Sequence, residues 1–326
     1  MFKGKTLIFQ PRPGLGDLIW HLPIIRAIAN ATTTGRITLL TKPSTQADTL
    51  LQNDPAIDNI IWFDRNPRTK KSGHHDGPLG YPRLIATLCA ARAETAILLH
   101  HATSLAAALR LAGIPNRHAY GYTAAQRRWL QPPFNPPEIE HAEAFEQASA
   151  FAGTLGFSEL PPPSVQINLR ALEAVEQRLA HLPRPWLVLG IGANHPSRQW
   201  TPENFTALAQ SLLATTPISI VLLAAAHERH LASQIEGSLG APARSQTALG
   251  WPLPEVAALL STAEQFLGND SGPMNLRAAT GRPAHALFGV SGPLQHSPLI
   301  RAIMPEGGPR AGMEQITVQS ALQSLQ

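Results

Sequence analysis

Two short glycine-containing turns hold the side chains best suited to chemistry in this 326-residue sequence. The first is Gly14-Leu15-Gly16-Asp17, which follows an apolar run and precedes a helical stretch. The second spans 268–276 and has the sequence GNDSGPMNL, again between an apolar run and a helix. A turn that opens a helix gathers unpaired amide groups and a partial positive charge. Each turn therefore favours an anion such as a phosphate.

The second turn has the residue types that a helix start prefers. Asp270 and Ser271 suit an N-cap, because their side-chain oxygens can accept the unpaired amides of a first turn. Gly272 lets the backbone approach a ligand closely, and Pro273 suits the first helical position. An ordinary capped helix without a ligand is the alternative reading of this segment taken alone.

The first half of the chain alternates apolar runs with helical stretches. Strands are predicted at Thr6–Phe9, Arg36–Thr41, Asn59–Phe63 and Thr95–Leu99, and a helix is predicted over Leu18–Ala29. Strand, glycine turn and helix is the opening of a doubly wound α/β domain. The alternation predicts a parallel sheet with helices on both faces.

A proline-rich segment, Ser158–Ser164, separates this half from a second one and reads as a stiff linker. The alternation then restarts, with a helix from Pro202 that Thr201 caps and that has Glu203 in its first turn. The other predicted elements are strands at Trp186–Ile191, Ile218–Leu223 and Ala284–Phe288, and helices at Ala171–Ala180, Glu228–Ile235 and Pro254–Leu260.

These elements predict an α/β protein of two Rossmann-like doubly wound parallel-sheet domains that face a central cleft. The first domain is expected over residues 1–163 and the second over 164–310. The tail, 311–326, is predicted to end in a helix that returns to the first domain.

Composition narrows the class of protein. Hydrophobic residues make up 44% and the mean hydropathy is −0.06, which indicates a soluble globular protein. Cys89 is the single cysteine, so an internal disulfide is impossible and a reducing compartment is expected. The apolar runs are too short to span a bilayer, and the first ten residues do not resemble a signal peptide. We therefore expect a cytoplasmic protein.

Positive charge is concentrated in the first half. Residues 1–130 contain 16 Lys and Arg against 7 Asp and Glu, and residues 131–326 contain 10 against 15. The difference suggests an anionic partner for the first half: an acidic glycan, a membrane surface or a nucleic acid, with a solvated basic face as the alternative. Part of this charge lies in a polar segment, 65–82, predicted to be a loop in which His74, His75 and Asp76 are solvated rather than metal-bound.

Several nucleotide and hydrolase motifs are absent. The dinucleotide fingerprint G-x-G-x-x-G fails at its third glycine, where Ile19 stands, and the second strand is followed by Lys42 instead of the acid that holds a ribose. The sequence has no Walker A loop, no G-x-S-x-G elbow and no D-x-D triplet. With these motifs excluded, the remaining possibility is a protein that binds a nucleotide diphosphate at the ends of its helices.

Four segments resemble glycosyltransferase family 9, the heptosyltransferases of lipopolysaccharide assembly. They are Gly14–Asp17 with Leu22-Pro23 behind it, Leu111–Pro115, Gly192-Ala193-Asn194 with the stretch 198–205, and the turn 268–276. They occur in the family's order over nearly the whole chain. The Asp-Ser-Gly-Pro-Met segment is the most specific of them.

The resemblance implies a GT-B fold, with the acceptor mainly on the first domain and the nucleotide sugar mainly on the second. It implies an inverting transfer, usually from an ADP-heptose, without an obligatory metal or other cofactor. The expected acceptor is an acidic, lipid-linked glycan at the inner face of a bacterial inner membrane, which would bring the enzyme into peripheral contact with that membrane. No nucleic-acid partner is expected.

Roles for single residues follow from the same resemblance. Asp17 matches the family's catalytic base, although an aspartate after a glycine can also cap a helix beginning at Leu18. Gly14 and Gly16 shape that turn on the acceptor side. Arg198 stands where the family usually has a lysine that neutralises the diphosphate; arginine can do this with a bidentate fork.

The donor would be held by the second domain. The expected donor-binding residues are Gly192, Ala193, Asn194, Glu228 at the ribose, and Asp270, Ser271, Gly272, Pro273, Met274 and Asn275 at the diphosphate and base. Asn275 stands where the family commonly has histidine, and asparagine carries no positive charge. This departure leaves room for a different donor or an atypical acceptor.

Other functions stay open. The same fold serves nucleotide-sugar epimerases and hydrolases, and a member of this family can use another donor or a protein acceptor. A binder that kept the nucleotide pocket without catalysis and a nucleic-acid binder are the remaining hypotheses.

Overall fold

Two parallel β-sheets account for the architecture of the chain. The computed structural model describes residue 2 and residues 4–66, 72–293 and 295–326. The chain separates into two units, Met1–Pro163 and Ser164–Gln326, each built on its own sheet. The predicted α/β class with two parallel-sheet domains is confirmed.

The first unit contains a five-stranded sheet in the order β3-β2-β1-β4-β5. Its strands are β1 (Thr6–Gln10), β2 (Ile37–Thr41), β3 (Ile57–Trp62), β4 (Thr95–Leu98) and β5 (Asn116–Ala119). Its helices are α1 (Leu15–Asn30), α2 (Ala47–Leu50), α3 (Gly80–Ala91), α4 (Thr103–Leu111), α5 (Ala124–Arg127) and α6 (Ala144–Thr154). All strand pairs in this sheet are parallel.

The second unit contains a six-stranded parallel sheet in the order β11-β10-β9-β6-β7-β8. Its strands are β6 (Trp186–Gly190), β7 (Ser219–Ala224), β8 (Ser245–Leu249), β9 (Gln265–Asn269), β10 (Ala284–Leu287) and β11 (Ile300–Ile303). Its helices are α7 (Leu169–Arg178), α8 (Pro202–Thr215), α9 (Arg229–Leu239), α10 (Leu253–Thr262), α11 (Gly272–Ala279) and α12 (Val318–Ser324).

The central strands are apolar because both of their faces are covered. Leu7, Ile8 and Phe9 of β1 have no exposed surface, and the same holds for Leu187 and Val188 of β6. A strand covered by helices on both faces reads as a continuous apolar run instead of an alternating one. The sequence located β1, β2, β3, β4, β6, β7 and β10 to within about two residues, and the apolar run before the turn 268–276 belongs to β9.

Three strands were not predicted, and each lies at an edge of its sheet. β5 begins with polar Asn116, β8 begins with three polar residues, and β11 exposes Arg301. Because a strand at an edge is covered less completely, its sequence lacks the continuous apolar run that marks a central strand.

Two other element boundaries differ from the prediction. The first helix begins at Leu15, so Gly16 and Asp17 belong to its first turn and not to a preceding loop. The segment 65–82 ends as helix, because α3 begins at Gly80. Residues 67–71 of that predicted loop lie outside the described residues.

The tail helix packs within the second unit. α12 contacts α8, and Ile316, Ala321 and Leu325 belong to the same apolar core as Trp200. The indole Nε1 of Trp200 donates a hydrogen bond to the carbonyl oxygen of Ile316 over 2.9 Å. A terminal helix is confirmed, and its return to the first domain stays a prediction. Among the described residues, no helix combines the length and apolarity needed to cross a bilayer.

Candidate active site

Four loops of the second unit meet at one edge of its sheet. β10, β9, β6 and β7 are parallel neighbours, so the loops after their carboxyl ends emerge on the same side. These loops carry Ser291, Asp270, Gly192 and Glu228, respectively. Ligands of parallel α/β sheets bind at this edge.

Asn269, the last residue of β9, fixes the neighbouring loop from both ends. Its amide nitrogen donates to the carbonyl oxygen of Ile191 over 2.8 Å, and its side-chain oxygen accepts the backbone N–H of Trp200 over 3.0 Å. Asn269 has no exposed surface. The loop 191–200 therefore has a defined position relative to the start of α11.

Arg198 and Asp270 form the central charged pair of this edge. Nη1 of Arg198 lies 3.0 Å from Oδ2 of Asp270, and the Ser291 hydroxyl donates to the same oxygen over 3.1 Å. Burial raises the pKa of Asp270, while Arg198 and the Ser291 hydroxyl oppose that rise. The Arg198 side chain is 43% exposed, so the guanidinium can contact a ligand while it pairs with Asp270.

The start of α11 departs from the predicted capping. Ser271 occupies the N-cap position but makes no side-chain capping bond, and Asp270 directs its carboxylate to Arg198. Ser271 is therefore the N-cap residue as predicted but lacks the expected side-chain bond. The cap expected from Asp270 is wrong, because its carboxylate pairs with Arg198 instead of the helix amides. Pro273 lies in the first turn as predicted but, having no N–H, adds no amide for a phosphate.

Two buried polar atoms at this helix start have no hydrogen-bond partner among the described residues: Oγ of Ser271 and Oδ1 of Asn275. Asn275 is 7% exposed, and its amide nitrogen donates to the carbonyl oxygen of Ser271 over 3.1 Å. Buried polar atoms normally have partners, so these two are suited to hydrogen-bond a ligand. Met274 is 2% exposed and packs in the interior.

Gly192 lies directly against Glu228. A Cβ atom at Gly192 would overlap the carboxylate of Glu228, so that carboxylate would have to move. The Glu228 carboxylate accepts the backbone N–H of Ala225 over 2.8 Å and is 12% exposed. Ala193 is half-buried beside it, whereas Asn194 is exposed. The structure thus brings together all the predicted donor-side residues at one edge, with Asn194 at its periphery.

Asp17 lies in the first turn of α1 in the first unit. The backbone of Gly14, which precedes this helix, has a φ of 114°, a conformation that favours glycine. Because α1 begins at Leu15 with Gly14 as its N-cap, the alternative in which Asp17 caps a helix from Leu18 is wrong. Gly16 lies within the helix. Asp17 Oδ1 is 3.9 Å from Nη1 of Arg12, with about 30% of each side chain exposed.

A buried polar chain supports the backbone of Asp17. Nδ1 of His21 donates to the Asp17 carbonyl oxygen over 2.7 Å. Gln10 lies beside His21, and its side-chain oxygen accepts the Thr41 hydroxyl over 2.7 Å. Burial lowers the pKa of His21 to about 3, so its ring is neutral. Sequence reasoning missed these residues, since nothing in their spacing marks them.

Arg12 also contributes to the pKa shifts of ionisable groups in the segments that follow β4 and β5. Burial lowers the pKa of His100 to about 4, with further contributions from His101 and Arg12. Nδ1 of His100 accepts the N–H of Ala102 over 3.0 Å, as a neutral ring can. Tyr120 is 3% exposed, burial raises its pKa, and its hydroxyl has no hydrogen-bond partner among the described residues. Around Asp17, this part of the edge therefore combines a carboxylate and a guanidinium with neutral polar groups.

The segment around His75 is not the solvated loop that the sequence predicted. His75 is 5% exposed, and its Nε2 lies 3.2 Å from the Thr87 hydroxyl. The Asp76 carboxylate accepts the backbone N–H groups of Asn66 and Gly73, each over 2.8 Å. Of these three residues His74 is exposed, Asp76 is half-buried and His75 is buried. Across the described parts of the chain, no group of three His, Cys, Asp or Glu side chains is placed to hold a metal ion.

A parallel-sheet unit with an arginine at a helix start is typical of proteins that bind nucleotide phosphates. The sequence model of glycosyltransferase family 9 (heptosyltransferase) matches residues 81–322. The chain therefore belongs to this family and is a glycosyltransferase. A comparison with curated proteins finds no match.

Solved structures share the fold over nearly the full length. ADP-heptose lipopolysaccharide heptosyltransferase II of E. coli superposes with a TM-score of 0.76 at 21% identity, covering 99% of this chain and 97% of that one. A family 9 glycosyltransferase from Veillonella parvula gives 0.78 at 17% identity, covering 98% and 96%. E. coli heptosyltransferase WaaC with ADP gives 0.73 at 20% identity, covering 99% of each chain. The expected GT-B fold is confirmed.

Proposed function

We propose that this glycosyltransferase transfers heptose, or a related sugar, from an ADP-sugar to a lipopolysaccharide-core or other surface-glycan acceptor with inversion at the anomeric carbon. The observation that carries the proposal is the arrangement at the start of α11. There Arg198, the first-turn amides and two unpartnered buried oxygens share one edge of the sheet. This arrangement suits a nucleotide diphosphate, and a similar fold has been solved with ADP bound.

In this proposal the predicted second domain, 164–310, which lies within the second unit, binds the donor. Arg198 and the amides of Gly272 and Met274 hold the diphosphate and stabilise the negative charge that develops as ADP leaves. Glu228, held against Gly192, accepts the ribose hydroxyls. Asn275 is a neutral amide at the position where the family commonly has histidine. The positive charge that balances the phosphates therefore comes mainly from Arg198.

The first unit, 1–163, binds the acceptor and supplies the base. Asp17 takes the proton from the acceptor hydroxyl while that oxygen attacks the anomeric carbon. The new glycosidic bond forms as the bond from that carbon to the ADP oxygen breaks on the opposite face, which inverts the configuration. Nη1 of Arg12, 3.9 Å from Oδ1 of Asp17, places a positive charge beside the proposed base. The reaction as proposed uses no metal ion.

The acceptor in this proposal is acidic, because residues 1–130 carry a balance of nine positive charges. A lipid-linked acceptor at the inner face of the inner membrane would place the enzyme in the cytoplasm, in peripheral contact with that membrane. A protein acceptor is the variant of the proposal that the neutral Asn275 leaves open.

The first test is calorimetric titration of ADP, UDP and GDP into the purified protein with a chelator present. We expect ADP to bind and the other two to bind at least tenfold more weakly. Turnover of ADP-heptose with a lipopolysaccharide-core acceptor then tests the reaction. Preference for UDP or GDP would contradict the ADP-sugar donor, and conversion of the donor sugar without an acceptor would favour an epimerase or hydrolase.

A further inference from the structure

Helices α3 and α4 form a parallel pair that covers one face of the first sheet. The Tyr81 hydroxyl donates to the carbonyl oxygen of Ser104 over 2.9 Å, which joins the amino ends of the two helices. Sγ of Cys89 lies 3.5 Å from the carbonyl oxygen of Ala112, which joins their carboxyl ends. The outward side of this pair is a single continuous surface.

Large apolar side chains lie exposed on this surface. Leu79 is 60% exposed, Leu111 57% and Tyr81 38%, and these are half of the six large hydrophobic residues exposed in the described chain. Leu79 and Tyr81 lie at the amino end of the helix pair and Leu111 at the opposite end. Burying one of them would remove apolar area from water, which is favourable in proportion to that area.

The charge of the segment that carries these side chains is predominantly positive. Residues 77–137 contain six arginines and a single acid, Glu94. Arg83 and Arg92 on α3 and Arg110 on α4 are exposed. We call the set of Leu79, Tyr81, Leu111, Arg83, Arg92 and Arg110 the α3–α4 face.

We propose that the α3–α4 face docks the protein onto the surface of a lipid bilayer that contains anionic lipids. Exposed apolar side chains interspersed with cations are the combination that binds such a surface, where apolar groups enter the headgroup region and cations remain among the phosphates. A soluble polyanion satisfies the arginines but offers nothing to Leu79 and Leu111. The bilayer is therefore the partner that accounts for both features.

The test is flotation of the purified full chain with vesicles of phosphatidylcholine, with or without phosphatidylglycerol. The protein is expected to float with the anionic vesicles at low salt and much less with the neutral ones. Higher salt should weaken binding, because exposed charges are screened within a Debye length of about 10 Å at 0.1 M. Wild-type protein that stays unbound, or that binds both vesicle types equally, would overturn the proposal.

The contribution of the exposed arginines is tested with a triple variant and a matched control variant. The triple variant Arg83→Gln, Arg92→Gln, Arg110→Gln should lower the partition onto anionic vesicles roughly 100-fold, from roughly fivefold for each cation near an anionic membrane. Arg170→Gln, Arg282→Gln, Arg310→Gln removes three exposed arginines from the second unit and should stay within about twofold of wild type. Equal losses in both triple variants would show a net-charge effect and overturn the proposal.

Replacing the exposed leucines distinguishes binding to a bilayer from binding to a soluble polyanion. Leu79→Asn with Leu111→Asn should weaken vesicle binding by at least tenfold and leave binding to heparin unchanged. The control pair Leu169→Asn with Met304→Asn changes residues that are 74% and 43% exposed in the second unit and should change neither. Equal weakening on vesicles and heparin, or on neither, would overturn docking through the apolar side chains. Because no nucleotide sugar or glycan acceptor is present, this experiment is independent of the proposed reaction.

Discussion

Each unit places an arginine and an aspartate at the carboxyl edge of its sheet, but the two pairs differ in geometry. In the second unit Arg198 and Asp270 are 3.0 Å apart, and Ser291 donates to the same carboxylate. In the first unit Arg12 and Asp17 are 3.9 Å apart, which exceeds hydrogen-bond length. The first geometry fixes both charges in one hydrogen-bonded position, whereas in the second the guanidinium lies beyond hydrogen-bond length of that carboxylate oxygen. The comparison suggests binding in one unit and proton transfer in the other.

The largest effect is expected from removing the proposed base of the first unit. Asp17→Asn keeps the size of the side chain and removes its basicity, so we expect kcat to fall by ~10²–10⁴-fold. Steady-state transfer of heptose measures it. Asp48→Asn, which alters an exposed aspartate of the same unit, is the control and should retain wild-type kcat.

The second-largest effect is expected from removing Arg198 from its pair with Asp270. Arg198→Ala removes a charged hydrogen-bond donor worth about 1.5–3 kcal/mol, so ADP affinity should fall roughly 10- to 100-fold. Arg198→Lys should lie between this variant and wild type, because it keeps the charge but loses the fork. Calorimetry measures both. An Arg198→Ala variant that binds ADP as wild type does would remove Arg198 from the donor site, and exposed Arg282→Ala serves as the control.

A smaller effect is expected from removing the Ser291 hydroxyl, which holds Asp270 in its pair with Arg198. Ser291→Ala removes one of the two donors to Asp270, so the donor KM should rise by about threefold to tenfold. Ser291→Thr keeps the hydroxyl and should restore most of the affinity. Exposed Ser238→Ala in the same unit should change nothing. If the Ala and Thr variants behave alike, the hydroxyl has no part in positioning Asp270.

The last prediction concerns the stability of the first unit and not its activity. The pKa of His21 is lowered to about 3 in the folded protein from 6.5, so between these pH values the unfolded chain binds the extra proton. Stability should therefore fall with decreasing pH in this window, by up to about 1.4 kcal/mol per pH unit from this group. Urea unfolding should show a shallower pH slope for His21→Gln. An unchanged slope would contradict a neutral buried His21. His227→Gln, with a 79% exposed ring, should keep the wild-type slope.

The sequence predicted the central strands and most of the site, because both depend on local signals. β1 and β6 contain continuous apolar runs and β9 a shorter one, and the segments after these strands carry Asp17, Arg198 and Asp270. Contacts between distant segments were not predictable. Asn269 reaches the loop at Ile191, and Ser291 reaches Asp270, through neighbouring strands whose order is not encoded in any short motif.

Two errors have local causes. The pair of glycines before Asp17 suggested a turn, yet Gly14 alone takes a positive φ, and Gly16 joins the helix. The caps expected from Asp270 and Ser271 ignored a competitor, because Arg198 lies 72 positions away in sequence and could not be placed beside them. In both cases the residue type was recognised and its partner was not.

The measurement that tests the division of roles most directly combines ADP calorimetry and heptose transfer on one preparation of folded Asp17→Asn. The account predicts an ADP affinity within about twofold of wild type together with the loss of ~10²–10⁴ in kcat. Such a result would separate proton transfer in the first unit from donor binding in the second. Full transfer activity in this variant would contradict the account, because Asp17 would then not be the base.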